Sequence, residues 1–124
     1  MSPHKQIIEK SAESYQLYLP HISIDTVIFG FSENELKVLA IKMKFNQQWF
    51  LPGGYLKKKE NIDDAAVRIL SERAGVSDIF LEEFAVFGKY GRSEDSFADY
   101  EDSLWHKQRF VSIGYYALVN YHNV

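Results

Sequence analysis

The side chains in this 124-residue chain whose types and spacing could do chemistry gather between Leu51 and Val76, LPGGYLKKKENIDDAAVRILSERAGV. Glu60, Arg68 and Glu72 are its charged landmarks, preceded by the basic turn Lys57, Lys58 and Lys59. Arg68 and Glu72 stand four apart on a helix, where an exposed ion pair is worth about 0.2–0.5 kcal/mol, and Glu60 alone would be a solvated loop acid. The three lysines make either a solvated turn or a surface that attracts an anion. Upstream, Lys42 and Trp49 offer a cation and a ring, and a Trp in an irregular connection either stacks on a ligand or plugs the core. Arg109 offers either an anion contact or an ion pair with the acidic stretch before it.

The elements that must position these groups are a glycine turn and one helix. Pro52, Gly53 and Gly54 open the segment, glycine reaching backbone angles closed to other residues, and Gly75 closes it as a helix C-cap. Asn61 is placed to cap the helix with its side chain, with Asp63 and Asp64 at the positive end of the helix dipole. The helix is predicted over Ile62–Ala74. Ile62, Ala65, Ala66, Ile69 and Leu70 recur at spacings of three and four, making a stripe that faces a core, and positions 69, 72 and 73 share a sector at its edge. Ile69 continues the stripe and is read as core.

Around this unit, residues 5–17 carry a weak helical stripe of Ile7, Ile8, Ala12 and Tyr15, ended by Pro20, and residues 1–20 are taken as an N-terminal helical segment that docks or meets a partner. Ile22–Phe31 and Leu36–Met43, joined by Ser32, Glu33 and Asn34, read as a hairpin. Ile79–Gly88 is a strand interrupted by Glu82 and Glu83. A long acidic loop with Glu94, Asp95, Asp99, Glu101 and Asp102 follows, with one helical turn expected near residues 98–104. From Val111 to Tyr121 apolar residues alternate with others, the clearest strand in the chain. His4, His21, His106 and His122 show no metal-ligand spacing.

Length and composition fit one domain, with a formal charge of −3 that gives no footprint for nucleic acid. The chain has no cysteine, hence neither a disulfide framework nor a thiolate metal site. No apolar run approaches the roughly 20 residues needed to span a membrane, so a soluble cytoplasmic protein is expected. An aromatic content of 15% points to a core or interface rich in rings.

The string from Gly54 to Val76 resembles the Nudix box, GX5EX7REUXEEXGU with U aliphatic, without insertion or deletion. Gly54, Glu60, Arg68, Leu70, Glu72, Gly75 and Val76 fall on the pattern, seven of nine specified positions. The two departures are Ile69 and Arg73, both where the family's hydrolases keep glutamates that gather divalent cations around a diphosphate. The resemblance implies an α+β fold, a Nudix-like α/β/α sandwich on a mixed sheet, occupying residues 21–124. It also implies a further strand and covering helix beyond this chain, so the domain is expected to be truncated at its C-terminus.

The eroded box is most similar to Nudix-related transcriptional regulators of the NrtR and AraR kind, on three stretches: ISIDTVIFGFSENELKVLAIK, LPGGYLKKKENIDDAAVRIL and RFVSIGYYALVN. This implies a catalytically inactive domain sensing a sugar, sugar phosphate or ADP-ribose-like nucleotide, a homodimer, and DNA binding through a winged helix outside this chain. The expected ligand residues are Lys42, Trp49, Gly53, Gly54 and Arg109, with no cofactor. The alternative is an active diphosphohydrolase in which Glu60, Arg68 and Glu72 serve the site, Glu60 and Glu72 hold magnesium, and an acid from Glu94–Asp102 is the relocated base. A third reading is a pure interaction module.

Overall fold

The computed structural model describes residues 2–42, 47–91 and 100–120. Helix α1 (Pro3–Leu17) runs into strand β1 (Tyr18–Ser32), followed by β2 (Glu35–Val38), β3 (Ile41–Lys42), β4 (Trp49–Phe50) and β5 (Gly53–Lys57). Helix α2 (Ile62–Ala74), β6 (Glu82–Phe87), a 3-10 turn (Trp105–Lys107) and β7 (Val111–Asn120) complete it. The main sheet has the order β2-β1-β7-β6, with β5 also pairing β1, and β3 and β4 form a separate ribbon. β1 and β7 run parallel in register from Ile22↔Val111 to Phe31↔Asn120, and the other pairings are antiparallel. The α+β class and the mixed sheet therefore hold.

Alternation along the two central strands sends one set of side chains under α2. Ile24 and Ile28 of β1, with Ile113, Tyr115 and Ala117 of β7, meet Ala65, Ala66, Ile69 and Leu70. Two alanines side by side let the helix approach the sheet, and the larger Ile69 and Leu70 fill the space beyond them. The predicted stripe is thus the buried one, apart from Ile62, which is exposed. On the opposite face Phe31, Phe84, Phe87, Tyr116 and Leu118 remain exposed.

The helix bounds match the expected ones, but its entry is made differently. Asn61 makes no side-chain cap; its amide donates to Asp64 Oδ2 at 3.3 Å. Asp63 instead accepts from the hydroxyl of Tyr115 at 2.5 Å, a bond from the central strand to the first helical turn. Burial and that carboxylate push the Tyr115 phenol well up. The exit is as read: Gly75 is left-handed at φ 68° and its N–H bonds Ser71 O.

Four other expectations change. In α1 the buried residues are Ser11 and Ser14 rather than Ile8 or Ala12, because the helix docks through polar and aromatic contacts: Ser11 Oγ accepts from Trp105 N at 2.8 Å, and Tyr15 OH donates to Ser103 O at 2.6 Å. The second arm of the hairpin breaks into β2 and β3, and Met43 lies outside the described residues. Strand β6 starts at Glu82, so the two glutamates open it rather than interrupt it, while Ile79 and Leu81 pack under α2. The turn expected near residues 98–104 is found at Trp105–Lys107; residues 92–99, with Glu94, Asp95 and Asp99, lie outside the described residues, as do Tyr121 and His122.

The aromatic content goes to a core. Trp105 is fully buried, ringed by Tyr15, Tyr18, His21, Tyr55 and Phe110 with centroids 4.3–6.2 Å away. Burial lowers the pKa of His21 in this cluster, as it does that of the adjacent His106.

Gly54 sits directly over Ile69, where an added Cβ would meet Ile69 Cγ1 at 2.9 Å and Cδ1 at 3.1 Å. Gly54→Ala should therefore lower stability by about 1–3 kcal/mol in urea unfolding, and adding Ile69→Val should recover part of the loss. An unchanged midpoint in the single variant would show that the helix has room to move away from β5.

Candidate functional site

The site is assembled where β5 crosses β1 and turns into α2. Thr26 of β1 is buried and donates twice to Pro52 O, from its N at 2.9 Å and its Oγ1 at 2.8 Å. This fixes the chain just before the glycines. Gly53 then lies opposite Asp25 and Gly54 opposite Ile24. A Cβ on Gly53 would stand 2.5 Å from Asp25 Oδ1 and 3.2 Å from Ile24 O, so a side chain here would displace the Asp25 carboxylate.

Arg68 is the centre of the charged cluster. Its Nε donates to Glu60 Oε2 at 2.7 Å and its Nη2 to Glu60 Oε1 at 3.0 Å, a two-point grip on the loop carboxylate. Nη2 also donates to Tyr55 O at 2.7 Å, and Nη1 to Glu72 Oε2 at 3.2 Å. The side chains of Arg68 and Glu60 are 17% and 15% exposed, that of Glu72 59%, so only the first pair is shielded from water. The Arg68 bonds hold Glu60 below the usual carboxylate range despite its burial, helped by the Lys57 amide that donates to Oε1 at 3.1 Å. Arg68 is raised by the same pairing. Glu60 is therefore a braced acid, not a solvated one, and Glu72 makes the i,i+4 pair expected of it.

Positions 69, 72 and 73 do not act as one edge. Ile69 is buried beneath Gly54, as its place in the stripe predicts. Arg73, one turn on, donates from Nε to Gly53 O at 3.1 Å, whereas Glu72 turns to Arg68. Among the described residues no group of three His, Cys, Asp or Glu side chains is placed to hold a metal ion.

Trp49 and Lys42 face each other across the β3–β4 ribbon, with Lys42 Nζ 5.8 Å from the ring centroid. Trp49 is 65% exposed, so it is not a core plug. It walls a cavity of about 590 Å³ shared with Ile28, Lys37, Leu39 and Val119. Ile28 and Leu39 also pack with Leu70 and Ala74, which places this cavity at the C-terminal end of α2. Arg109 stands elsewhere: its Nη2 donates to Gly88 O at 2.9 Å and its guanidinium lies 5.5 Å from the Tyr90 ring centroid. Of its expected partners in the acidic stretch, Glu94, Asp95 and Asp99 lie outside the described residues. Asp102, of the acidic stretch, pairs with Lys107 at 2.8 Å instead.

Three participants were missed in the sequence: Asp25, Tyr55 and Tyr115. An aspartate inside the apolar run ISIDTVIFG was a signal for the first. Nothing local marks Tyr55, whose carbonyl serves Arg68 and whose buried phenol is raised to about 12.

Replacing Arg68 by Gln should cost about 2 kcal/mol, within the range for losing charge-assisted hydrogen bonds around a shielded carboxylate. Glu60 has its pKa lowered by folding, so its contribution is complete above the unfolded value near 4.3 and is lost as pH falls through the folded value. Urea midpoints measured from pH 7 down to pH 3 should show that the acid-dependent loss is smaller in Arg68→Gln than in the parent; parallel curves would mean that the pair carries no linkage.

Comparisons with known proteins bear on the fold and the family. The chain is 28% identical over 107 residues to the ADPR responsive transcriptional repressor NtrR of Acinetobacter baylyi, covering 82% of this chain and 38% of that protein. It is 36% identical over 77 residues to the ADP-ribose pyrophosphatase of Methanocaldococcus jannaschii, covering 58% of this chain and 43% of that one. Among solved structures, the NUDIX domain of Shewanella oneidensis NrtR complexed with ADP ribose superimposes with a TM-score of 0.61 at 26% identity, over 89% of this chain and 71% of the other. This chain thus spans about two fifths of the length of the two relatives matched by sequence. The NUDIX domain model matches residues 19–123, nearly the whole of the chain, which therefore belongs to the NUDIX domain family.

Proposed function

We propose that this domain senses an effector and does not hydrolyse it. The ligand class is a sugar, a sugar phosphate or an ADP-ribose-like nucleotide, held at the C-terminal end of α2 between the glycine turn and the Trp49 cavity. One observation carries this reading: the box positions that would gather magnesium are filled by groups engaged otherwise. Ile69 is buried and offers no oxygen, Arg73 brings a permanent positive charge to Gly53 O, and Glu60 is gripped at both oxygens by Arg68. Glu72 is left as the accessible carboxylate of this cluster, itself paired with Arg68. Magnesium favours several hard oxygens, so this donor set fits it poorly.

The relatives support the ligand class, one being named ADPR responsive and the NrtR structure containing ADP ribose. In our reading DNA contact belongs to a different domain. A Shewanella oneidensis NrtR structure includes DNA, and this chain covers 43% of that protein. In our reading the domain acts as a cytoplasmic homodimer, and the effector shifts the dimer's equilibrium by no more than its differential affinity for two states. No described helix is long and apolar enough to cross a membrane.

The hydrolase reading is favoured by one observation, the 36% identity to an ADP-ribose pyrophosphatase. Its relocated base would come from Glu94–Asp102, of which Glu94, Asp95 and Asp99 lie outside the described residues. Thermal unfolding with ADP-ribose, arabinose, other pentoses and hexoses, each with magnesium or with excess chelator, separates the two. A sensor should gain roughly 2.7 kcal/mol at a ligand concentration of 100 Kd, with the ligand recovered intact. Release of AMP or a sugar phosphate in the magnesium arm alone would establish the hydrolase instead.

A further inference from the structure

The glycine turn carries a cation with donors to spare. Arg73 uses Nε to bond Gly53 O, which orients the guanidinium plane beside the first glycine, and among the described residues its two terminal amino groups bond nothing. The side chain is exposed. Its charge is felt within the site, where it lowers the Tyr55 phenol against the upward push of burial. Arg73 also lies in the last turn of α2, where a positive charge is favoured by the helix dipole. Ile28 and Leu39, which line the Trp49 cavity, pack in one cluster with Leu70 and Ala74 of α2.

An arginine held at Nε, with both terminal nitrogens unbonded among the described residues, is preorganised for one kind of partner, an oxyanion gripped at two points. A neutral sugar has no comparable charge to place there. Resting on the sensor reading above, we propose that Arg73 takes the role a divalent cation would have in this box: it receives a phosphate or diphosphate of the effector, so the effector is phosphorylated and its recognition needs no metal. The substitution at position 73 is then an exchange of one phosphate receptor for another. Ile69 follows from it, since a site without metal has no use for a second carboxylate and gains a core contact under Gly54.

The test is calorimetric titration of the intact chain with ADP-ribose, inorganic pyrophosphate and arabinose, each in excess chelator and again in magnesium. The parent and Arg73→Lys, Arg73→Gln and Arg73→Glu are compared, with urea midpoints recorded for each. The parent should bind ADP-ribose equally with chelator and magnesium, and should bind pyrophosphate more weakly. Affinity should fall in the order Arg, Lys, Gln, Glu, by roughly tenfold for Gln as for loss of a charge-assisted fork, with midpoints lowered only by the lost Gly53 bond and dipole contact and every variant still folded. Binding should also weaken as salt rises. An Arg73→Gln variant that binds ADP-ribose as the parent does would reduce Arg73 to a brace on the turn and overturn the proposal, as would a requirement for magnesium in the parent. Binding of arabinose but neither phosphorylated ligand would overturn the anion assignment while leaving the sensor reading intact. Failure of the parent to bind any of the three would overturn the sensor reading and this proposal together.

Discussion

The Arg68 guanidinium ties three separate pieces of chain into one object. Its four hydrogen bonds reach the loop acid Glu60, the helix acid Glu72 and the carbonyl of Tyr55 in β5. A planar fork with five N–H donors satisfies all of these from one side chain, which no lysine can do. Because the Glu60 pair is largely shielded while Glu72 is open to solvent, most of the energy lies in the bond between helix and loop. The turn from β5 into α2 is rigid for that reason.

That rigidity is passed on by steric contact as well as by charge. Gly54 lies on Ile69, Gly53 lies on Asp25, and Thr26 holds the carbonyl of the preceding Pro52 with two donors. Each leaves the backbone little freedom, and together they present the Gly53 carbonyl to Arg73. At the other end of the helix, Tyr115 reaches from the middle of the sheet to Asp63. The helix is thus fastened to the sheet at its start, its middle and its last turn. At the last turn the fastening is the single bond from Arg73 to Gly53 O.

A second aromatic core, around Trp105, joins α1 to the starts of β1 and β7. It contains His21, and its helix contributes serine and tyrosine rather than aliphatic residues. A hydrophobic stripe is a poor guide to such a helix. Hydrogen bonds and ring contacts with a fixed geometry decide which of its faces is buried.

The short-range statements in the sequence proved sufficient for α2, for its glycine C-cap, for the buried role of Ile69 and for the strand from Val111. Each depends on residues within a turn or a strand of one another, so periodicity and backbone preference determine them, and the fixed spacing of the box carried the family. The partner of Arg68 within the helix, Glu72, was legible for the same reason. The assignment of Asp63 to Tyr115, the grip of Arg68 on Glu60 and Tyr55 O, and the separation of Arg73 from Glu72 were not. These were decided only when β1 and β7 paired in parallel over ten residues and β5 was laid against β1. Such contacts join residues far apart in the chain, and a charged side chain with several donors takes whichever acceptors the fold brings within reach.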